Sequence, residues 1–171
     1  MNALSRITPL VLALALLAGC GSPAGKDLSP EERTQLYRTA IENARDQDLN
    51  DALPIVTSAE EETGQALFDV LGLAPEDCAA CALSVSLMNV KAYGIAAVYP
   101  ADGREAQVEE GLAAFIDQQR QNFQQYLPDQ YEIAQAARLE TLSDGTILMV
   151  MCEDQDGVFD RISAAIIEGE G

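Results

Sequence analysis

Histidine and tryptophan are both missing from the 171 residues, lysine occurs only at Lys26 and Lys91, and 10 basic residues face 28 acidic ones. Without an imidazole, the chain has none of the ring nitrogens on which Ser-His-Asp triads, Cys-His dyads and His-bearing zinc sites depend. A formal charge of −18 is repelled by phosphate backbones, so nucleic acid is not an expected partner. No apolar run approaches the roughly 20 residues that a helix needs to cross a bilayer. The composition, 48% hydrophobic and 22% charged, suits one ordinary domain with its own core.

The most informative segment lies at the start. Residues 1–6 carry a single positive charge at Arg6, and residues 7–18 are almost wholly apolar, the pattern of an export signal. The run ends in Leu17-Ala18-Gly19-Cys20, which resembles the bacterial lipobox, where small residues precede a Cys whose sulfur receives a diacylglycerol. Residues 1–19 therefore read as a lipoprotein signal peptide and Cys20 as the lipidation site. Residues 20–28, rich in Gly, Ser, Pro and Ala, read as a flexible tether. At least two acyl chains, each methylene contributing about 0.8 kcal/mol, suffice for stable attachment. The expected location is the extracytoplasmic face of a cell membrane, with the lipid anchor at Cys20 as the membrane contact.

Residues 29–171 read as a single α+β domain, with a helical part at 29–81 and a sheet-bearing part at 82–171. Ser29-Pro30-Glu31-Glu32 has the capping-box signature of a helix start, and Leu36, Tyr37, Ala40, Ile41 and Ala44 form an apolar stripe behind it. Residues 46–54 are polar and break that helix. Ser58-Ala59-Glu60-Glu61 repeats the capping pattern ahead of Ala66, Leu67, Val70 and Leu71, and Gly72 closes the second helix. Residues 73–81 predict a short Pro-initiated helical turn.

Beyond this point the period changes. Leu83, Val85 and Leu87 alternate with Ser84 and Ser86, which predicts a strand with apolar groups on one face and hydroxyls on the other. A second strand is expected over residues 93–99. A long helix should follow, capped by Asp102 and Glu105, carrying Val108, Leu112, Phe115, Ile116 and Phe123, and stopped by Pro128. Strands at 136–142 and 146–152 flank Asp144-Gly145, a hairpin signal, and Val158, Phe159, Ile162 and Ile166 mark a last helix. The expected architecture is an antiparallel sheet of about four strands in a ββα-ββα arrangement with helices on one face, preceded by two helices.

Three segments carry a family likeness: Leu71-Gly72-Leu73-Ala74-Pro75-Glu76-Asp77, Met88-Asn89-Val90-Lys91-Ala92 and Tyr126-Leu127-Pro128-Asp129-Gln130-Tyr131. In their order and setting, residues 36–167 resemble an uncharacterised family of small bacterial lipoproteins catalogued only as a domain of unknown function. The resemblance implies membership without chemistry. Cys78 and Cys81 stand where members keep a short acidic or aromatic segment, so these cysteines are a feature of this chain.

The candidate chemistry is sparse. Cys78-Ala79-Ala80-Cys81 has redox spacing, but it follows a short turn and leads into a strand, whereas a thioredoxin-like pair opens a long helix. Cys78, Cys81 and Cys152 allow one disulfide with a thiol left over, or three buried thiols. The acids of Asp154-Gln155-Asp156-Gly157 lack the spacing of a calcium loop, and no metal or cofactor site is expected. Met88, Asn89 and Lys91, in the connection between two strands, form a possible recognition edge, the alternative being a plain turn. Tyr126 and Tyr131 are a second such edge, the alternative being rings that close the core. These features lead to a non-enzymatic module that binds an envelope protein or a small ligand. The alternative is an extracytoplasmic thiol oxidoreductase or carboxylate-based enzyme.

Overall fold

The structure, a computed structural model, describes residues 28–169. The signal segment, Cys20 and the tether up to residue 27 lie outside the described residues. The chain runs through α1 (Pro30–Ala44), α2 (Gln47–Ala52), α3 (Gly64–Leu71), a 3₁₀ turn (Pro75–Asp77), β1 (Cys78–Val85) and β2 (Gly94–Pro100). It continues through α4 (Glu105–Phe123), α5 (Pro128–Gln135), β3 (Arg138–Thr141), β4 (Ile147–Met151) and α6 (Gln155–Gly169). The strands form one antiparallel sheet in the order β1-β2-β4-β3. The α+β class and the four antiparallel strands follow the expectation from sequence, and the ββα-ββα order holds with one unexpected helix, α5, added between α4 and β3.

The placement of the helices does not. Expected on one face, they cover both. Val108, Leu112, Phe115 and Ile116 of α4 pack with α3 and α5 against Leu83, Val98, Met149 and Met151. Val158, Phe159, Ile162 and Ile166 of α6 pack with Tyr37 and Ile41 of α1 against Ala82, Ile95, Leu148 and Val150 on the opposite face. The cause lies in the strands, which are apolar on both sides: all five residues of β4 are buried. A sheet with two apolar faces needs a helical layer on each. Ser84 and Ser86 are buried as well, at 0% and 9% exposure, so the alternation in β1 does not separate core from solvent. Leu87 lies beyond the strand and is exposed.

Other differences are local. Three α-helices, not two, precede the sheet, because residues 46–54 include α2, whose first turn is capped by Asp46 accepting from the Leu49 N–H at 2.8 Å. The Ser58–Glu61 pattern forms a turn and not a helix start: the Glu61 carboxylate accepts from Thr57 N–H at 2.7 Å, its hydroxyl at 2.8 Å and Ser58 N–H at 3.1 Å. Helix α3 opens three residues later at Gly64, where a Cβ would lie 2.2 Å from the Ser58 carbonyl oxygen. Cys78 to Cys81 belong to β1, which moves the boundary between the helical and sheet-bearing parts from 81/82 to 77/78. Neither Asp102 nor Glu105 caps α4, whose N-cap is Arg104 with no side-chain capping bond. Pro128 opens α5 at its first turn, four residues after Gln124 caps α4.

The capping box of α1 forms as read. Ser29 Oγ accepts from Glu32 N–H at 3.3 Å, and the Glu32 carboxylate accepts from Ser29 N–H at 2.9 Å, which holds the Glu32 acid below its ordinary value. At the β3–β4 hairpin only Gly145 has a positive φ, 92°. Leu142 N–H donates to Thr146 O at 2.7 Å and Gly145 N–H to Leu142 O at 3.0 Å, which closes the turn.

Candidate functional site

β1 and β4 end, and β2 begins, at the same end of the sheet, since Gly94 pairs with both Val85 and Met151. The two helical layers converge there around a cleft of about 820 Å³, within the range of roughly 300–1,000 Å³ usual for small-molecule sites. Its walls come from the C-terminal end of α1, from α2, the β1–β2 connection, α5, and the passage from β4 into α6. Leu49, Met88, Val90, Ile133 and Val158 supply its apolar surface, and Arg45, Lys91 and Arg161 its positive charges.

Arg45 is the C-cap of α1 in extended conformation, φ −129° and ψ 165°, so its side chain turns back over the sheet end. Its Nε donates to Asn50 Oδ1 at 2.6 Å, Nη1 to Ser84 Oγ and the Tyr93 hydroxyl at 2.8 Å each, and Nη2 to Leu53 O at 2.7 Å. One guanidinium thereby ties α1, α2, β1 and the start of β2 together. Every one of these acceptors is neutral. The Ser84 hydroxyl, placed on the wrong side of an in-out pattern, is satisfied by Arg45 and by donating to Leu53 O at 3.2 Å. Burial raises the Tyr93 phenol above its ordinary value, with the Arg45 bond pulling the other way.

Lys91 stands over the Tyr93 ring, with its nitrogen 5.8 Å from the centroid. The loop that carries it is fastened to α5 by Gln130, which accepts from Ala92 N–H at 2.8 Å. Arg161 donates to Ala44 O at 3.1 Å and pairs with Asp154 at 3.3 Å. Apart from Arg45 and Lys91, every cationic side chain among the described residues lies within 4.0 Å of a carboxylate. Both exceptions line this cleft.

Of the residues singled out from sequence, Met88 and Lys91 line the cleft and Asn89 does not. Met88 and its neighbour Val90 are 61% and 64% exposed. Tyr126 and Tyr131 differ in their settings. Tyr126 is 81% exposed, whereas Tyr131 packs against the core and accepts from Gln135 Nε2 at 2.8 Å. Arg45, Arg161 and Tyr93 escaped notice because their place in the cleft depends on tertiary contacts. The one available signal was Ser84, a hydroxyl within an apolar strand that demanded a partner.

The cysteines among the described residues, Cys78, Cys81 and Cys152, are free. Cys81 belongs to the core on one face, with Cys78 packed against that same core, and Cys152 belongs to the core on the other. Burial pushes Cys78 and Cys81 up to about 12, with the neighbouring acids adding for Cys78, and pushes Cys152 up to about 11. Three of the acids after β4 are paired: Asp156 and Asp160 bind Arg138 at 3.5 and 3.0 Å, and Asp154 binds Arg161. Among the described residues no three thiols or carboxylates gather as they would around a metal ion, and no helix is long and apolar enough to cross a membrane.

Fold and cleft together define an α+β domain with a four-stranded antiparallel sheet between two helical layers and a charged, apolar-walled cleft at one sheet end. Residues 55–152 match the family described as Domain of unknown function (DUF4358), and since this is more than half of the chain, the protein belongs to that family. No curated protein and no solved structure matches it. The matched segment contains Met88, Lys91 and Tyr93. Arg45 and Arg161, with the helices α1 and α6 that carry them, lie outside it.

Proposed function

We propose that this protein is a lipid-anchored binding module on the extracytoplasmic face of a bacterial membrane, non-enzymatic, with the cleft at the sheet end as its ligand site. The anchor reading rests on Leu17-Ala18-Gly19-Cys20 at the end of an apolar run. The observation that carries the binding reading is the cleft itself, where five elements leave apolar side chains beside cations instead of closing over them. The thiol oxidoreductase alternative is weakened by thiols raised to about 11 or 12, since exchange needs thiolate at working pH. The carboxylate-based alternative is weakened because Asp46 caps α2 and Asp154 is paired with Arg161.

A photo-reactive residue placed at Met88 tests the site in living cells. A crosslinked adduct at that position, and none from the same group at Glu110 on the exposed side of α4, is expected. No adduct at Met88 would remove the cleft as the binding site. Intact-mass measurement of the protein from cells tests the anchor: loss of residues 1–19 and a gain of acyl mass at Cys20 are expected, and an unmodified Cys20 would refute it.

A further inference from the structure

The chemistry of the cleft narrows its ligand, given the binding reading above. The hydrogen-bond acceptors of the half-buried Arg45 guanidinium are all neutral, and among the described residues no carboxylate lies within 4.0 Å of it in an otherwise strongly negative protein. Four of the five N–H donors of Arg45 are used, which leaves one on Nη2. Among the described residues, the Tyr93 ring is the one partner of the Lys91 side chain. Tyr93 joins the two cations, with its hydroxyl on Arg45 and its ring beneath Lys91. This is a site for a negative group, and a hydrogen bond between charged partners is stronger than a neutral one.

The same rim carries Asp46, Glu153 and Asp154, and these disfavour a multiply charged head more than a singly charged one. Next to the cations, Met88 and Val90 project largely uncovered from the β1–β2 connection, and Leu49, Ile133 and Val158 continue the apolar wall inward. Covering such surface releases water and favours an apolar body attached to the charged head. The volume of about 820 Å³ admits one molecule of moderate size.

We infer that the cleft takes a single-chain amphiphile whose head bears one negative charge, with the head at Arg45 and Lys91 and the chain along Met88, Val90 and Ile133. A carboxylate or a phosphodiester would supply such a head. The processed full chain, held by its anchor in phosphatidylcholine nanodiscs, is labelled with a diazirine-bearing dodecanoate and the labelled residues are mapped by peptide mass spectrometry. Labelling should fall on the residues that line the cleft. Dodecanoate and lysophosphatidylglycerol are the competing arms, and the stronger competitor tells carboxylate from phosphodiester. The neutral monolauroylglycerol should compete about tenfold less well.

Lys91→Gln, at a side chain outside the Arg45 clamp, should abolish most of that tenfold preference, and Met88→Asp should weaken all three competitors together. Equal competition by the neutral compound, an unchanged preference in Lys91→Gln, or labelling spread away from the cleft would overturn the inference. A persisting in-cell adduct at Met88 would then show that the cleft binds something else, whereas its loss would remove the binding reading as well.

Discussion

Arg45 meets Ser84, Tyr93, Asn50 and the Leu53 carbonyl at 2.6–2.8 Å, so removing it strips partners from several part-buried oxygens at once. Arg45→Ala is expected to lower stability by about 2–4 kcal/mol, read as a shift in the urea midpoint with little change in slope. A second polar cluster pins α1 to the β3–β4 hairpin. Arg33 donates to Asp144 at 3.0 Å with both side chains nearly inaccessible, Thr146 Oγ1 donates to Asp144, and the Tyr37 hydroxyl shares a 2.5 Å bond with Thr146. Asp144→Ala takes one partner from Arg33 and an acceptor from Thr146, and a loss of about 1–3 kcal/mol is expected in the same measurement. The buried thiols make a separate prediction. Their ordinary value is 9.0 and the fold raises them to about 11 or 12, so above pH 9 the unfolded chain releases protons that the native chain keeps. Their contribution is complete below about pH 9 and is lost as pH climbs toward 12. The urea midpoint should fall across that window, and iodoacetamide should label Cys78, Cys81 and Cys152 at pH 8 only after unfolding.

Elements meet most closely where α3 ends against α4. Gly72 adopts φ 65° at the C-cap of α3, and a Cβ on Gly111 in the middle of α4 would lie 2.5 Å from the Gly72 carbonyl oxygen. In an isolated helix, replacing Gly by Ala is favourable by about 1 kcal/mol. Here the sign should reverse, because the added methyl meets backbone and not a movable side chain, and Gly111→Ala is expected to cost about 1–3 kcal/mol by thermal or urea unfolding. At this scale the sequence was legible wherever a signal was local. The capping box of α1, the stripe of α4 and the Asp144-Gly145 turn were all readable from neighbouring residues. Glu61 does not start a helix, although a carboxylate that caps a turn and one that caps a helix share the same spacing: here its bonds go back to Thr57 and Ser58.

On the scale of the molecule, the family match covers the sheet and the layer made by α3, α4 and α5, but neither α1 nor α6. Without those two helices, Ile95, Leu148 and Val150 would face water. A fragment of residues 55–152 is therefore expected to aggregate or to bind a hydrophobic dye while the longer chain does not, as measured by sedimentation and fluorescence. The cleft depends on the same arrangement, since α1 and α6 bring Arg45 and Arg161 to a sheet end that the matched segment supplies with Lys91 and Tyr93.

The sequence by itself determined the α+β class, the four strands with the long helices α1, α4 and α6, and the exclusion of imidazole chemistry, because composition and period are properties of neighbouring residues. Only the tertiary structure decided that the sheet is covered twice and that Arg45 and Lys91 meet at Tyr93. A strand that is apolar on both sides reads the same whether or not a second helical layer exists. The partners of a charge are likewise chosen by segments far apart along the chain.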